Sequence, residues 1–117
     1  MAATIERFTA DADPDAVFAG LEAAGAVIVE DLLSPDVVAR VNEEVEAAVD
    51  AADPDAELFN PVLTAFHGPH TKQVTGVAGI SRTFAVDVMC QPLLLSVCDR
   101  MLLPSCARYQ LNLGHLL

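Results

Sequence analysis

Gly25-Ala26-Val27-Ile28-Val29-Glu30-Asp31-Leu32-Leu33-Ser34-Pro35 is the stretch on which the fold turns. Its β-branched run Ala26-Val27-Ile28-Val29-Glu30, bounded by Gly25 and Asp31, predicts a short strand. Gly25 can take the left-handed backbone that ends a helix, so a helix should stop immediately before the strand. Ser34 then offers a capping hydroxyl, Pro35 suits the first helical position, and Asp36 places negative charge where a helix dipole favours it. Helix end, strand and helix start are thus written into consecutive residues.

The same cap, proline and acid recur at Asp13-Pro14-Asp15 and Asp53-Pro54-Asp55, which predicts two further helix starts. The first opens a helix of about three turns with Val17, Phe18 and Leu21 on one side. After Ser34, Val37, Val38, Val41, Val45, Ala48 and Val49 recur at helical spacing, with Glu43, Glu44, Glu46 and Asp50 on the other face. That pattern predicts a long amphipathic helix packed on a sheet, its acids facing solvent. Residues 58–70, with two prolines and a glycine, read as an irregular connection, and 71–75 as a short extended piece. Gln91-Pro92 opens a helix to about Leu103, with Leu93, Leu94, Val97, Met101 and Leu102 as its buried face and Pro104 as its end. Beyond it, Tyr109, Leu111 and Leu113 alternate with Arg108, Gln110 and Asn112, which predicts a strand over 107–113. The closing Gly114-His115-Leu116-Leu117 is apolar where chain ends are usually polar, so the sequence is expected to stop partway through a sheet.

Composition limits what such a chain can do. It has 117 residues, 17 acidic against 6 basic side chains, a net charge of −11, and is 53% hydrophobic. That length allows one domain and one core without disulfide staples. The charge argues against DNA, RNA or anionic lipid as a partner, since phosphates would be repelled. Its placement is uneven: residues 1–57 hold 15 acids and 2 bases, residues 58–117 hold 2 acids and 4 bases. The domain therefore divides into an acidic helix-strand-helix part, 1–57, and an apolar, faintly basic part, 58–117. The start of the chain is charged where a signal peptide needs an apolar stretch, and the longest apolar run is too short to span a bilayer, so a cytoplasmic protein is expected. Cys90, Cys98 and Cys106 lack any C-x-x-C spacing and read as buried, reduced thiols.

Few residues suggest chemistry. His67-Gly68-Pro69-His70 is a turn, not a helical metal pair, and reads as loop-capping imidazoles; no His-x-Asp or His-x-Glu occurs. Ser81, Ser96 and Ser105 lack a nucleophile elbow, and no glycine-rich phosphate loop is present. A polar set remains in the apolar half: Lys72, Arg82, Arg108, Gln110 and Asn112. Lys72, the one lysine, either holds a carboxylate as a point charge or is a surface side chain. Gln110 and Asn112, two apart, either donate into a pocket or face solvent on an edge strand.

In order along the chain, the Gly25 to Pro35 unit with its long helix, His70-Thr71-Lys72, the proline-started leucine helix and Tyr109-Gln110-Leu111-Asn112 resemble the phytanoyl-CoA dioxygenase family. The resemblance implies an α+β chain forming the N-terminal portion of a double-stranded β-helix, or jelly roll, with backing helices and an incomplete barrel. It implies Fe(II) and 2-oxoglutarate as cofactors of full-length relatives, and a small aliphatic molecule as the substrate they hydroxylate. In that family iron sits on a His-x-Asp and a distant His, and an Arg binds the far carboxylate of 2-oxoglutarate. None of these four residues is matched here, and the His-x-Asp is expected beyond the last strand. Lys72 matches a lysine that contacts the cosubstrate in some members, and Gln110 and Asn112 match polar positions lining the same pocket. His67, His70 and His115 match no iron ligand. Without two imidazoles and a carboxylate there is no facial triad, so this chain alone is expected to bind neither cofactor tightly and to hydroxylate nothing. Two rivals stand beside this reading. One is a non-enzymatic acidic domain docking on a partner or on itself through its apolar half. The other is a metal-binding protein using His67 and His70, with or without Cys90.

Overall fold

The computed structural model describes residues 4–55, 61–68 and 70–116, and within these not the side chains of 63 and 64. The acidic half builds a strand-helix-strand unit. Strand β1 (Glu6–Thr9), helix α1 (Pro14–Ala24) and strand β2 (Val27–Glu30) follow one another. The two strands run parallel, with Glu6 opposite Val27 and Thr9 opposite Glu30. Local chemistry sets the helix limits as expected: the Asp13 carboxylate accepts from the Asp15 amide at 3.0 Å. At the other end Gly25 turns left-handed at φ 75° and donates its amide to the Leu21 carbonyl. Helix α1 lies close on β1 because Gly20 has no side chain. A Cβ there would stand 2.9 Å from the Glu6 carboxylate and 3.2 Å from the Phe8 ring.

Helix α2 (Pro35–Ala51) starts on the Ser34 hydroxyl, which accepts from the Val37 amide at 3.3 Å. It packs on helix α4 (Val77–Ile80) and on the π-turn that follows, Phe84–Val88. The expected packing on a sheet is therefore replaced by packing on helical turns from the second half, in a segment, 76–90, whose lack of clear periodicity left it unread. The third cap also forms, with the Asp53 carboxylate accepting from the Asp55 amide at 2.9 Å. The helix it was expected to start falls on 56–60, outside the described residues, as do Leu58 and Pro69 of the predicted connection.

Much of that connection is helical: α3 spans Pro61–His67. Pro61 sits at the first helical position, where a missing amide costs nothing, and Gly68 follows the last residue at φ 78°. The proline and glycine read as breakers are a start and a stop. Strand β3 (Val74–Thr75) falls within the predicted extended piece and pairs antiparallel with β4 (His115–Leu116). The strand expected over 107–113 is not formed; that segment has neither helix nor strand. Its alternating pattern has no strand to pair with, because β3 is taken by the two residues beyond Gly114.

Helix α5 (Pro92–Leu102) begins on the Gln91 side chain, which accepts from the Leu94 amide at 2.8 Å. It lies against α1, with Val17 of α1 and Leu93 of α5 both buried. Its predicted apolar face is only partly covered. Val97 is half-buried, whereas Leu94, Met101 and Leu102 are 41%, 47% and 37% exposed. One contiguous core is likewise replaced by few buried apolar side chains: Val17 and Leu93 here, Val45, Val74 and Val77 elsewhere. The radius of gyration, 16.9 Å, exceeds the about 13 Å of a compact domain of this length. The accessible surface is 8356 Å², against about 6100 Å² for a folded monomer of this mass. No helix among the described residues is long and apolar enough to cross a membrane.

Candidate functional site

The polar residues marked out by sequence distribute over two neighbourhoods. Lys72 follows α3, and its ammonium donates to the Val49 carbonyl in the last turn of α2 at 2.7 Å. A cation there meets the negative end of the helix dipole and shares the Val49 carbonyl with the Ala52 amide, which donates to it at 3.3 Å. The side chain is half-buried, and an ammonium bonded once keeps two donors for another acceptor. Beside it the Thr71 hydroxyl donates to the His67 carbonyl at 2.9 Å, closing α3 as a loop cap. The His67 ring meets the Phe66 ring edge-on and the His115 ring at 6.2 Å between centroids. His70, at φ 64°, holds the Asp55 carboxylate through Nδ1 at 2.7 Å. The α3 end, the loop through Lys72, and β4 therefore form one polar corner around the end of α2.

Gln110 and Asn112 are exposed on the irregular segment before β4. No hydrogen bond joins Lys72, Gln110 and Asn112 to one another among the described residues; what connects them is the β3–β4 pairing between their segments. Tyr109, next to Gln110, is half-buried and donates its hydroxyl to the Asp99 carboxylate of α5 at 2.6 Å. That bond, with burial second, raises the phenol from 10.0 to about 12. Arg82 and Arg108 are exposed. The three cysteines are free thiols, but Cys90 and Cys106 are exposed and Cys98 half-buried, which corrects the expectation of burial. Cys90 precedes α5, Cys98 lies within it and Cys106 follows it.

The most densely bonded polar group was not singled out by sequence. Glu44 of α2, read as a solvated acid, turns inward and is half-buried. One carboxylate oxygen accepts from the Ser81 hydroxyl at 2.5 Å and the Thr83 amide at 2.9 Å. The other accepts from the Thr83 hydroxyl at 2.8 Å. Ser81 is fully buried and itself accepts from the Phe84 amide. Hydrogen bonds to the charged form, with the Ser81 hydroxyl first, hold the Glu44 carboxyl below its ordinary value. The signal was in the spacing: Glu44 lies seven residues after Val37, three after Val41 and four before Ala48, within the apolar stripe itself. Its bonds fasten α2 to the segment that carries Val77, whose amide donates to the Gly114 carbonyl beside β4.

The described residues do not fit iron. Fe(II) oxygenase chemistry needs two imidazoles and a carboxylate converging on one point with open positions. Among the described residues no three His, Cys, Asp or Glu side chains are placed to hold a metal ion.

In sequence the chain is similar to proteins named as dioxygenases. It is 32% identical over 102 residues to the dioxygenase hkm4 of Aspergillus hancockii, a match taking in 82% of this chain and 33% of that protein. The multifunctional dioxygenase ausE of Penicillium brasilianum is 31% identical over 97 residues, covering 83% of this chain and 31% of ausE. The Fe(II)/2-oxoglutarate-dependent dioxygenase nvfF of Aspergillus novofumigatus is 29% identical over 98 residues, covering 81% of this chain and 33% of nvfF. The chain spans about a third of the length of these curated relatives. No family model matches it.

Proposed function

We propose that this chain supplies the helical support and one wall of the cosubstrate pocket in a phytanoyl-CoA-dioxygenase-like, Fe(II)- and 2-oxoglutarate-dependent enzyme built on a jelly roll. The observation that carries the reading is the similarity itself, over four-fifths of the chain, to proteins three times the matched length. It is supported by the position of Lys72, a lone lysine held at a helix end with donors to spare. In this reading Lys72, Gln110 and Asn112 bind and orient a dicarboxylate. The iron ligands are not among this chain's residues, so no step of oxygen chemistry is assigned to it. The substrate of the whole enzyme is a small aliphatic molecule hydroxylated at carbon, with neither nucleic acid nor membrane as a partner, in the cytoplasm.

The test is a titration of isotope-labelled chain with 2-oxoglutarate, followed by NMR. Weak, saturable shifts on the order of millimolar at Lys72, Gln110 and Asn112, with acetate producing none, are expected. Absence of any shift at these residues sinks the pocket reading, and stoichiometric Fe(II) binding near micromolar affinity by calorimetry sinks the assignment of the iron ligands elsewhere.

A second reading has its own observation. Leu95, Met101, Leu103, Leu111 and Leu113 are between 36% and 59% exposed, more apolar surface than a small soluble domain usually shows. A non-enzymatic acidic domain that docks or self-associates through this half accounts for it. Size-exclusion chromatography separates the two: a single discrete oligomer, with no response to 2-oxoglutarate, favours the docking domain.

A further inference from the structure

The segment 107–113 has no regular structure, and both its ends are fastened. At the first, the Cys106 amide and thiol both approach the Leu102 carbonyl, at 3.1 and 3.2 Å. At the other, the Gly114 carbonyl accepts from the Val77 amide at 3.2 Å, next to β4. Between them Arg108, Gln110, Leu111, Asn112 and Leu113 are exposed. Tyr109 differs from all of these. Its ring is half-buried and its hydroxyl lies 2.6 Å from the Asp99 carboxylate and 3.5 Å from the Leu95 carbonyl. Asp99 stands on a braced helix, because its neighbour Arg100 is paired with Asp15 in the first turn of α1 and donates to the Ser96 carbonyl.

We propose that Tyr109 is a positioning residue: its hydroxyl, clasped by Asp99, pins the middle of the 107–113 segment to α5 and so sets where Gln110 and Asn112 present their amides to a dicarboxylate. The inference rests on the pocket reading above and names the device that makes that pocket wall. Ordering an exposed irregular segment of this length costs backbone conformational entropy at each residue. A bond made before the ligand arrives lowers that cost at binding, which is pre-organisation. Tyr109 need not touch the ligand to do so.

The experiment uses the whole chain, with 2-oxoglutarate as the probe and three proteins: the natural one, Tyr109→Phe and Asp99→Asn. Circular dichroism establishes that each is folded. Amide hydrogen exchange over 108–113 and the side-chain amide resonances of Gln110 and Asn112 are then followed. Tyr109→Phe is expected to speed exchange in 108–113 and to weaken 2-oxoglutarate binding about five-fold, the worth of one hydrogen bond. Asp99→Asn keeps an acceptor oxygen and is expected to retain most of both, whereas a purely space-filling tyrosine would lose neither in Tyr109→Phe, whose ring fills the same space. Unaltered exchange in Tyr109→Phe overturns the clasp whatever the ligand does. Faster exchange with unchanged affinity overturns its role in positioning. If the natural chain ignores 2-oxoglutarate, the pocket reading and the ligand named here both fail, while faster exchange in Tyr109→Phe still upholds the clasp.

Discussion

The Glu44 carboxylate and the Ser81 hydroxyl, 37 residues apart in sequence, meet at 2.5 Å and join the acidic half of the chain to the apolar half. Thr83 completes the contact through its amide and hydroxyl. The ionised Glu44 carboxylate accepts from all three donors at once, and protonation weakens the link by turning one of its oxygens into a donor.

Its pH dependence follows from that. The folded-state value lies below the ordinary 4.5, so the stabilisation is complete above that pH and is lost as pH falls through the depressed folded value. The natural chain is expected to be more stable than Glu44→Gln at neutral pH, and the difference should shrink steadily on acidification. Urea unfolding at a series of pH values measures this; a constant difference down to the lowest pH would contradict it. Ser81→Ala should lower neutral stability in the same direction, because it strips one donor from a half-buried carboxylate.

How much of this was legible follows from how local each cause is. Helices α1, α2 and α5 and strand β2 were readable because Asp13, Ser34, Gln91 and Gly25 act on residues at most four away. Strand β1 was not, since Glu6-Arg7-Phe8-Thr9 has little pattern of its own and forms by pairing with residues 21 further on. Helix α3 was hidden by reading Pro61 as a breaker, although the same proline logic had been applied to Pro14 and Pro35. The alternation over 107–113 is real, but a strand needs a partner, and among the described residues β3 pairs with His115 and Leu116. For the site, Lys72 was marked as a cation seeking an acceptor, and its acceptor is a helix carbonyl that no spacing rule could supply. Glu44 could have been found, because an acid inside an apolar stripe must be bonded.

Two glycines give opposite expectations. Gly25 has open space where a Cβ would go but sits at φ 75°. Gly25→Ala therefore isolates backbone strain and should cost about 1–2 kcal/mol. Gly79 lies in α4 with ordinary φ and equally open space. There Gly79→Ala should stabilise by roughly 0.5–1 kcal/mol, through a less flexible unfolded chain. Chemical denaturation of both variants checks the pair, and a shift of the same sign in each would count against the helix limits described.

Tyr109 is the single tyrosine and the chain has no tryptophan, so phenolate absorbance reports it alone. Held by Asp99, it is expected to titrate near 12 instead of 10.0. Because the folded value is raised, the clasp stabilises fully below pH 10.0 and its contribution is lost as pH climbs toward about 12. Replacing Asp99 with Asn removes the negative charge and should bring the titration back toward the ordinary value. A natural chain that titrates at the ordinary value would show that the hydroxyl is not held.

Thiol labelling examines the cover over α5. Cys90 and Cys106 are exposed, and each thiol leans on a carbonyl, of Ala85 at 3.4 Å and of Leu102 at 3.2 Å. Both must turn away before attacking a disulfide reagent, so their rates should fall below that of a small free thiol while remaining measurable in the native state. Cys98 is half-buried on α5, near enough to Tyr109 for the two groups to interact through charge. Two thiols are therefore expected to react quickly and one slowly, and Tyr109→Phe should speed the slow one selectively by loosening the segment over it. Three equal rates in the natural chain would mean that the segment gives Cys98 no cover.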